Sequence, residues 1–105
     1  MTTTSPGDRY LLISDAASDA DIEAAFEWYE SEQLGLGFEF LDEVRAVYIR
    51  ILEGPLKYQE LRSGIRRALT RRFPYAIYFS IEDDVIKVIA VFDTSRDPAE
   101  WQSRV

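Results

Sequence analysis

Five of the twelve basic residues, Arg62, Arg66, Arg67, Arg71 and Arg72, fall between positions 62 and 72, a stretch without a single acid. Arginines at that density attract acidic side chains or phosphates. A solvated strand face whose charges pair with nearby acids produces the same pattern and contributes little energy. Strand alternation puts Arg67 and Arg71 on one face and Arg66 and Arg72 on the other, so at most two or three act together. Arg96, within Ser95-Arg96-Asp97-Pro98, follows an apolar run and precedes Trp101. A functional role for Arg96 competes with a plain ion pair to Asp93 or Asp97. Trp101 serves either as an interface anchor, where tryptophan is enriched, or as a cap on the core.

Other chemistries are excluded by what is missing. The 105 residues include no His and no Cys. Serine–histidine and cysteine–histidine catalysis and zinc chemistry therefore have no residues to run on. Glu23, Glu27 and Glu30 fall on one helical face, but metal carboxylates converge from several elements, so a solvated face explains them better. Asp83 and Asp84 read as a turn. Neither a metal nor a cofactor is expected.

Charge is distributed unevenly. The formal net charge is −7, yet residues 1–60 carry −9 and residues 61–105 carry +2. Proteins that wrap nucleic acid have a strongly basic field. A local positive patch in an acidic chain instead suits one acidic partner, and no direct sequence-specific nucleic-acid binding is expected. The opening Met1-Thr-Thr-Thr-Ser-Pro-Gly7 lacks the basic-then-apolar order of a signal peptide, and no run is long enough to cross a bilayer. A cytoplasmic protein without membrane contact is the expectation.

The elements that must position these residues follow from periodicity. Length and an apolar share of 47% fit one domain over 1–105, with 1–8 frayed. Arg9–Ser14 reads as a strand. Ser18 with Asp21 resembles a capping box, and Ile22, Ala25, Phe26 and Tyr29 follow at helical spacing. Tyr29 reads as packing, whereas Trp28 fits packing and contact equally. After Gly35-Leu36-Gly37, a second helix carries Leu41, Val44, Tyr48, Ile51 and Leu52 on one face, which Phe40 and Val47 widen, and stops at Gly54-Pro55. Ile65–Arg72 reads as a strand with charge on at least one face, with a helix as the alternative that Ala68 and Leu69 leave open. Tyr75–Ile81 places Tyr75, Ile77, Phe79 and Ile81 on one face. Val85–Phe92 is apolar on both faces apart from Lys87 and so central in its sheet. Asp97 and Pro98 start a short helix. The expected fold is α+β: an N-terminal strand, an antiparallel helical hairpin, a three-strand antiparallel meander in one small sheet, and a short C-terminal helix.

In order along residues 9–101, the chain resembles the RelE/ParE superfamily of toxins, most closely its ParE-like, plasmid-stabilisation branch. The match rests on Ser14-Asp-Ala-Ala17, Ala20-Asp-Ile22 and Trp28-Tyr29 with Gly35-Leu-Gly-Phe-Glu-Phe-Leu-Asp-Glu43. It continues through Gly64-Ile-Arg-Arg-Ala68 and Arg72-Phe-Pro-Tyr-Ala-Ile-Tyr-Phe79, and ends on Ala90-Val-Phe92 and Arg96-Asp-Pro98. The resemblance implies the toxin of a type II toxin–antitoxin system. Its partner would be a ParD-like antitoxin with a ribbon-helix-helix DNA-binding half and a segment that wraps the toxin. ParE proteins poison DNA gyrase, whereas RelE-like relatives cleave messenger RNA on the ribosome, and one fold serves both.

Departures from the family pattern separate these activities. Asp93 stands where many relatives have a histidine. Arg96 matches an arginine of the RelE catalytic cluster, but Trp101 or Gln102 replaces the tyrosine that follows it, and neither is a general acid. Thr70 occupies the place of a key strand arginine, with Arg71 and Arg72 out of register. The ribonuclease apparatus is incomplete, so the expected toxin binds gyrase and is not itself an enzyme. Its antitoxin- or target-binding residues would be Arg66, Arg67, Arg71, Arg72, Arg96 and Trp101. A ribosome-dependent endoribonuclease and a non-toxic solitary homologue acting as a binding module are the alternatives.

Overall fold

Leu11–Ser14 (β1) is the first strand of the computed structural model, which describes residues 9–105. The frayed start expected for residues 1–8 lies outside the described residues. The chain then turns into a helix, Ala16–Glu32 (α1), one turn earlier than the sequence implies. Asp15, not Ser18, is the cap: its carboxylate accepts from the Ser18 N–H at 2.9 Å, and the Ser18 hydroxyl accepts from the Asp15 N–H at 3.2 Å. Ala16 and Ala17 are good helix formers, and Asp is as strong a cap as Ser, so the helix extends back to the first suitable residue. Ser18 is left fully buried, with its hydroxyl 3.1 Å from the Val88 carbonyl.

The second helix is Leu36–Glu53 (α2). Glu30, expected on the wet face, reaches across the link and accepts from the Gly35 and Gly37 N–H groups at 2.9 and 3.0 Å. Those donors have no partner within the helix, and a carboxylate there also complements the helix dipole. Gly35 caps this helix at φ 90°, a left-handed conformation that Gly adopts cheaply. At Gly37 a Cβ would lie 2.7 Å from the Phe26 carbonyl oxygen, so the two helices cross closely only because none is present. Phe40, Val44, Val47 and Ile51 form the buried stripe of α2. Gly54 ends the helix as expected, and Pro55–Lys57 form a single 3-10 turn.

Four strands follow: Glu60–Arg62 (β2), Ile65–Leu69 (β3), Tyr75–Glu82 (β4) and Val85–Asp93 (β5). The spatial order is β1-β5-β4-β3-β2. The pair β1–β5 is parallel, and the others are antiparallel. The α+β class and helical hairpin agree with the expectation. The meander, however, has four strands, because a three-residue strand such as β2 is too short to show alternation. β3 also stops at Leu69 and not at Arg72. There the Thr70 hydroxyl donates to the Phe73 carbonyl and the Thr70 N–H donates to Tyr75 O at 3.0 Å, closing a turn before Pro74.

The sheet has two apolar faces. Ile77, Phe79, Ile86, Val88 and Val91 face the helical hairpin and pack with Phe40, Val47 and Phe73. Tyr29 belongs to that packing, with its ring 5.4 Å from Phe40 and 4.7 Å from Phe73. Ala76, Tyr78, Ala90 and Phe92 face the other way. That face is closed by Pro98–Gln102 (α3), whose Asp97 cap accepts from the Ala99 N–H at 2.9 Å. Trp101 stacks on Tyr78 at 5.0 Å and is 3% exposed. Burial of large side chains such as Phe79 and Phe92 stabilises the fold by about 2–3 kcal/mol each.

Candidate functional site

β5 changes character halfway along. β1 pairs only with Val85–Val88, so from Ile89 to Asp93 the outer side of β5 has no neighbouring strand among the described residues. A bulge marks the change: Tyr78 pairs with Ala90 but Phe79 pairs with Val88, leaving Ile89 unmatched. Bulges are frequent at sheet edges, where they increase twist and end pairing.

Side chains take over where β1 stops. The Val91 N–H donates to the Asp21 carboxylate at 3.0 Å. Arg104 donates to the Ile89 carbonyl at 3.0 Å and to both Asp21 oxygens at 2.7 and 3.0 Å. Asp21 is only 10% exposed and Arg104 25%. The Asp21 hydrogen bond raises the Arg104 pKa still further, against the opposing effect of burial. Arg104 also lies 4.6 Å from the Phe92 ring centroid.

Next to this pair a groove of about 240 Å³ runs between α1 and the end of β5. Ala24 and Trp28 of α1 form one wall, and Tyr75, Asp93 and Arg96 form the other. Trp28 is 59% exposed. Asp93 accepts from the Ser95 hydroxyl at 2.6 Å and the Ser95 N–H at 2.8 Å, which holds its carboxyl below the usual range and keeps it charged. Burial pushes Tyr75 up to about 12, helped by Tyr29 and Asp93. Arg96 lies 3.8 Å over the Phe92 ring and bonds Glu100 at 2.5 Å, so its ion-pair partner is Glu100 rather than Asp93 or Asp97. Both partners of that pair remain nearly half exposed, and such a pair is worth little to stability.

A second depression, about 290 Å³, meets the first at Tyr75 and is lined by Arg71, Arg72, Pro74 and Thr94. The backbone N–H groups of Arg71 and Arg72 both donate to Glu43, at 3.0 and 3.1 Å. This fixes the loop and leaves the side chains outside. Arg72 pairs with Glu39. The Arg71 side chain is exposed and has no ion-pair partner among the described residues.

The structure therefore gathers Arg71, Arg72 and Arg96 at one end of the sheet and separates them from Arg66 and Arg67. The expected sharing of faces by Arg67 with Arg71, and by Arg66 with Arg72, does not occur, because the chain leaves the sheet at Leu69. Arg66 sits opposite Phe79 and donates to the Tyr58 carbonyl at 2.6 Å, tying down the segment after α2. Arg67 sits opposite Tyr78, on the Trp101 side of the sheet, and is exposed. Trp101 is core and offers no surface anchor. Asp21 and Tyr75 are the site residues that sequence reasoning placed elsewhere. Asp21 meets a partner 83 positions away, for which no local signal exists, and Tyr75 differs from its strand neighbours only by following Pro74 at the strand start.

The groove can hold an apolar side chain on Trp28 and a carboxylate on Arg96. Among the described residues no group of three or more carboxylates converges as a metal site, and no helix is long and apolar enough to cross a membrane.

A helical hairpin on one face of a five-stranded mixed sheet, with a short helix sealing the other, defines a ParE-like fold. A chain of the chromosomal ParDE toxin–antitoxin system from P. aeruginosa is similar to it at a TM-score of 0.73, covering 81% of this chain and 96% of that one. The two are 12% identical, so the likeness is one of fold. Neither a protein-family profile nor a curated protein matches the sequence.

Proposed function

We propose that this chain is the toxin of a type II toxin–antitoxin system, held inactive by a ParD-like ribbon-helix-helix antitoxin and acting by binding DNA gyrase. The observation that carries this reading is the likeness to a chain of the ParDE system over nearly that chain's whole length. The motifs running in order from Ser14 to Pro98 support it independently. The rim formed by Arg71, Arg72 and Arg96 supplies positive charge on an acidic chain, as an acidic antitoxin segment needs.

The ribonuclease alternative has one observation in its favour. Tyr75 lines the same groove as Arg96, so a tyrosine stands near that arginine although none follows it in sequence. Against it, Tyr75 is a weak acid at about 12, and Arg96 is already engaged by Glu100. Efficient proton transfer favours a pKa nearer the working pH. The deciding experiment sets purified protein against gyrase supercoiling and against translating ribosomes in parallel. Inhibited supercoiling with intact mRNA is expected, and mRNA cleavage with normal supercoiling would overturn the gyrase reading.

A further inference from the structure

The outer edge of β5 past β1 is a strand edge only half provided for. A strand residue directs its N–H and C=O to the same side. The Val91 N–H goes to Asp21, away from β4, so the Val91 carbonyl points outward as well. Thr94 donates to the Pro74 carbonyl across the β4 ladder, so by alternation Asp93 also presents its N–H outward. Neither the Val91 carbonyl nor the Asp93 N–H has a hydrogen-bond partner among the described residues, whereas the Asp93 carbonyl on the same side accepts from the Arg96 N–H at 3.1 Å, so the free edge ends at the Asp93 N–H. One step earlier, Asp21 supplies an acceptor to Val91 and Arg104 a donor to Ile89, at the spacing a neighbouring strand's backbone would use.

We propose that this edge receives one extended peptide segment of a partner chain, which continues the sheet beside Val91 and Asp93 where the Asp21–Arg104 pair leaves off. The site's dimensions select the occupant. The groove is walled by α1 on one side and limited by the end of β1, so it admits a single thin strand and not the broad edge of a second copy. Its walls set the side-chain chemistry. An apolar residue meets Trp28 and the small Ala24, and the alternate acidic residue meets Arg96, which exchanges Glu100 for it. Pairing along an exposed edge with pockets for alternate side chains is an established mode of peptide recognition. The strand addition rests on the toxin reading only for the identity of the chain that brings the strand.

The test uses the full chain, 15N-labelled, and the synthetic peptide acetyl-Glu-Val-Glu-Val-Glu-Val-amide, with a control N-methylated at its valines. Binding at millimolar peptide should shift the Val91 and Asp93 amides and the Trp28 indole, and should slow Asp93 amide exchange about tenfold. The N-methylated control should bind about tenfold more weakly, because it cannot donate to the edge. Asp93→Pro removes the outward donor and should weaken binding by a similar factor. Trp28→Ala, at an exposed helical position that is safe for folding, should weaken it about fivefold. Equal binding of the N-methylated peptide, shifts confined to the β1 edge at Leu12 and Ser14, or no binding at all would each overturn the proposal. A ribbon-helix-helix partner that binds tightly while Asp93 stays exposed would also remove strand addition yet leave the toxin reading intact. Peptide binding at the edge without any antitoxin partner or toxicity would do the reverse.

Discussion

The two halves of β5 are built from similar residues and sealed in different ways. Val85–Val88 is covered by the backbone of β1, in a parallel ladder that starts with the Leu11 N–H bonding the Asp84 carbonyl at 2.8 Å. Ile89–Asp93 is covered by side chains, the Asp21–Arg104 pair and then an open groove. A backbone ladder is continuous and cannot be withdrawn without unfolding a strand. A side-chain plug can be exchanged for another donor and acceptor without unfolding a strand. The rigid half positions the fold, and the exchangeable half lies where Trp28, Tyr75 and Arg96 gather.

The largest effect should come from breaking the rigid seal. Ile13 lies opposite Lys87, and alternation from Leu11 directs its N–H into the ladder. Ile13→Pro removes that donor and should cost about 3 kcal/mol or abolish folding, read by urea denaturation. A loss below about 1 kcal/mol would erase the distinction between the halves.

Breaking the side-chain seal should cost less. Asp21→Ala leaves the Val91 N–H and a partly buried Arg104 without their acceptor, and should destabilise by about 2 kcal/mol. Asp21→Asn, which can still accept from Val91, should recover part of that loss. A double-mutant cycle of Asp21→Ala with Arg104→Ala should give a coupling of about 1 kcal/mol or more. Strictly additive losses would mean that the pair does not act as a unit.

The smallest effect is on acid stability, and it touches both halves. Asp15 caps α1 where β1 ends, and Asp93 closes β5. Burial acts to raise the Asp15 pKa, but the Ser18 N–H and hydroxyl outweigh it, and Ser95 lowers that of Asp93. A carboxyl whose folded pKa lies below its unfolded value near 3.9 contributes stability above that pH and loses it as pH falls through the folded value. Stability should therefore decline below about pH 4, and more gently in Asp15→Asn and in Asp93→Asn. Unchanged pH slopes in both variants would remove these two carboxylates from the account.

Sequence periodicity revealed the rigid part and hid the exchangeable one, for physical reasons. The apolar alternation of Tyr75–Ile81 assigned β4 to its two faces, because period 2 on a buried face leaves few alternatives. The hairpin and the Asp97 cap were equally legible, since each depends on residues within a few positions of one another. The cap moved from Ser18 to Asp15 because two strong caps lie three residues apart. Nothing local marks Asp21 as the partner of Arg104, or Glu30 as the cap of a helix that begins after it. The spacing of the arginine block predicts one strand, and Thr70 turns it out of the sheet. That turn separates Arg66, which bonds the Tyr58 carbonyl, from Arg71, whose side chain is exposed.

What stands to be tested is the proposed engagement of a protein partner by the rim at the exchangeable end of β5. Its most direct test is the affinity of the proposed ribbon-helix-helix antitoxin for the wild type and for an Arg71→Glu/Arg96→Glu variant, with the exposed Arg45→Glu of α2 as control. Reversing two rim charges should weaken binding at least tenfold, by about 1.4 kcal/mol or more, and should leave Arg45→Glu near wild type. Equal affinity of the double variant and the wild type would contradict the claim.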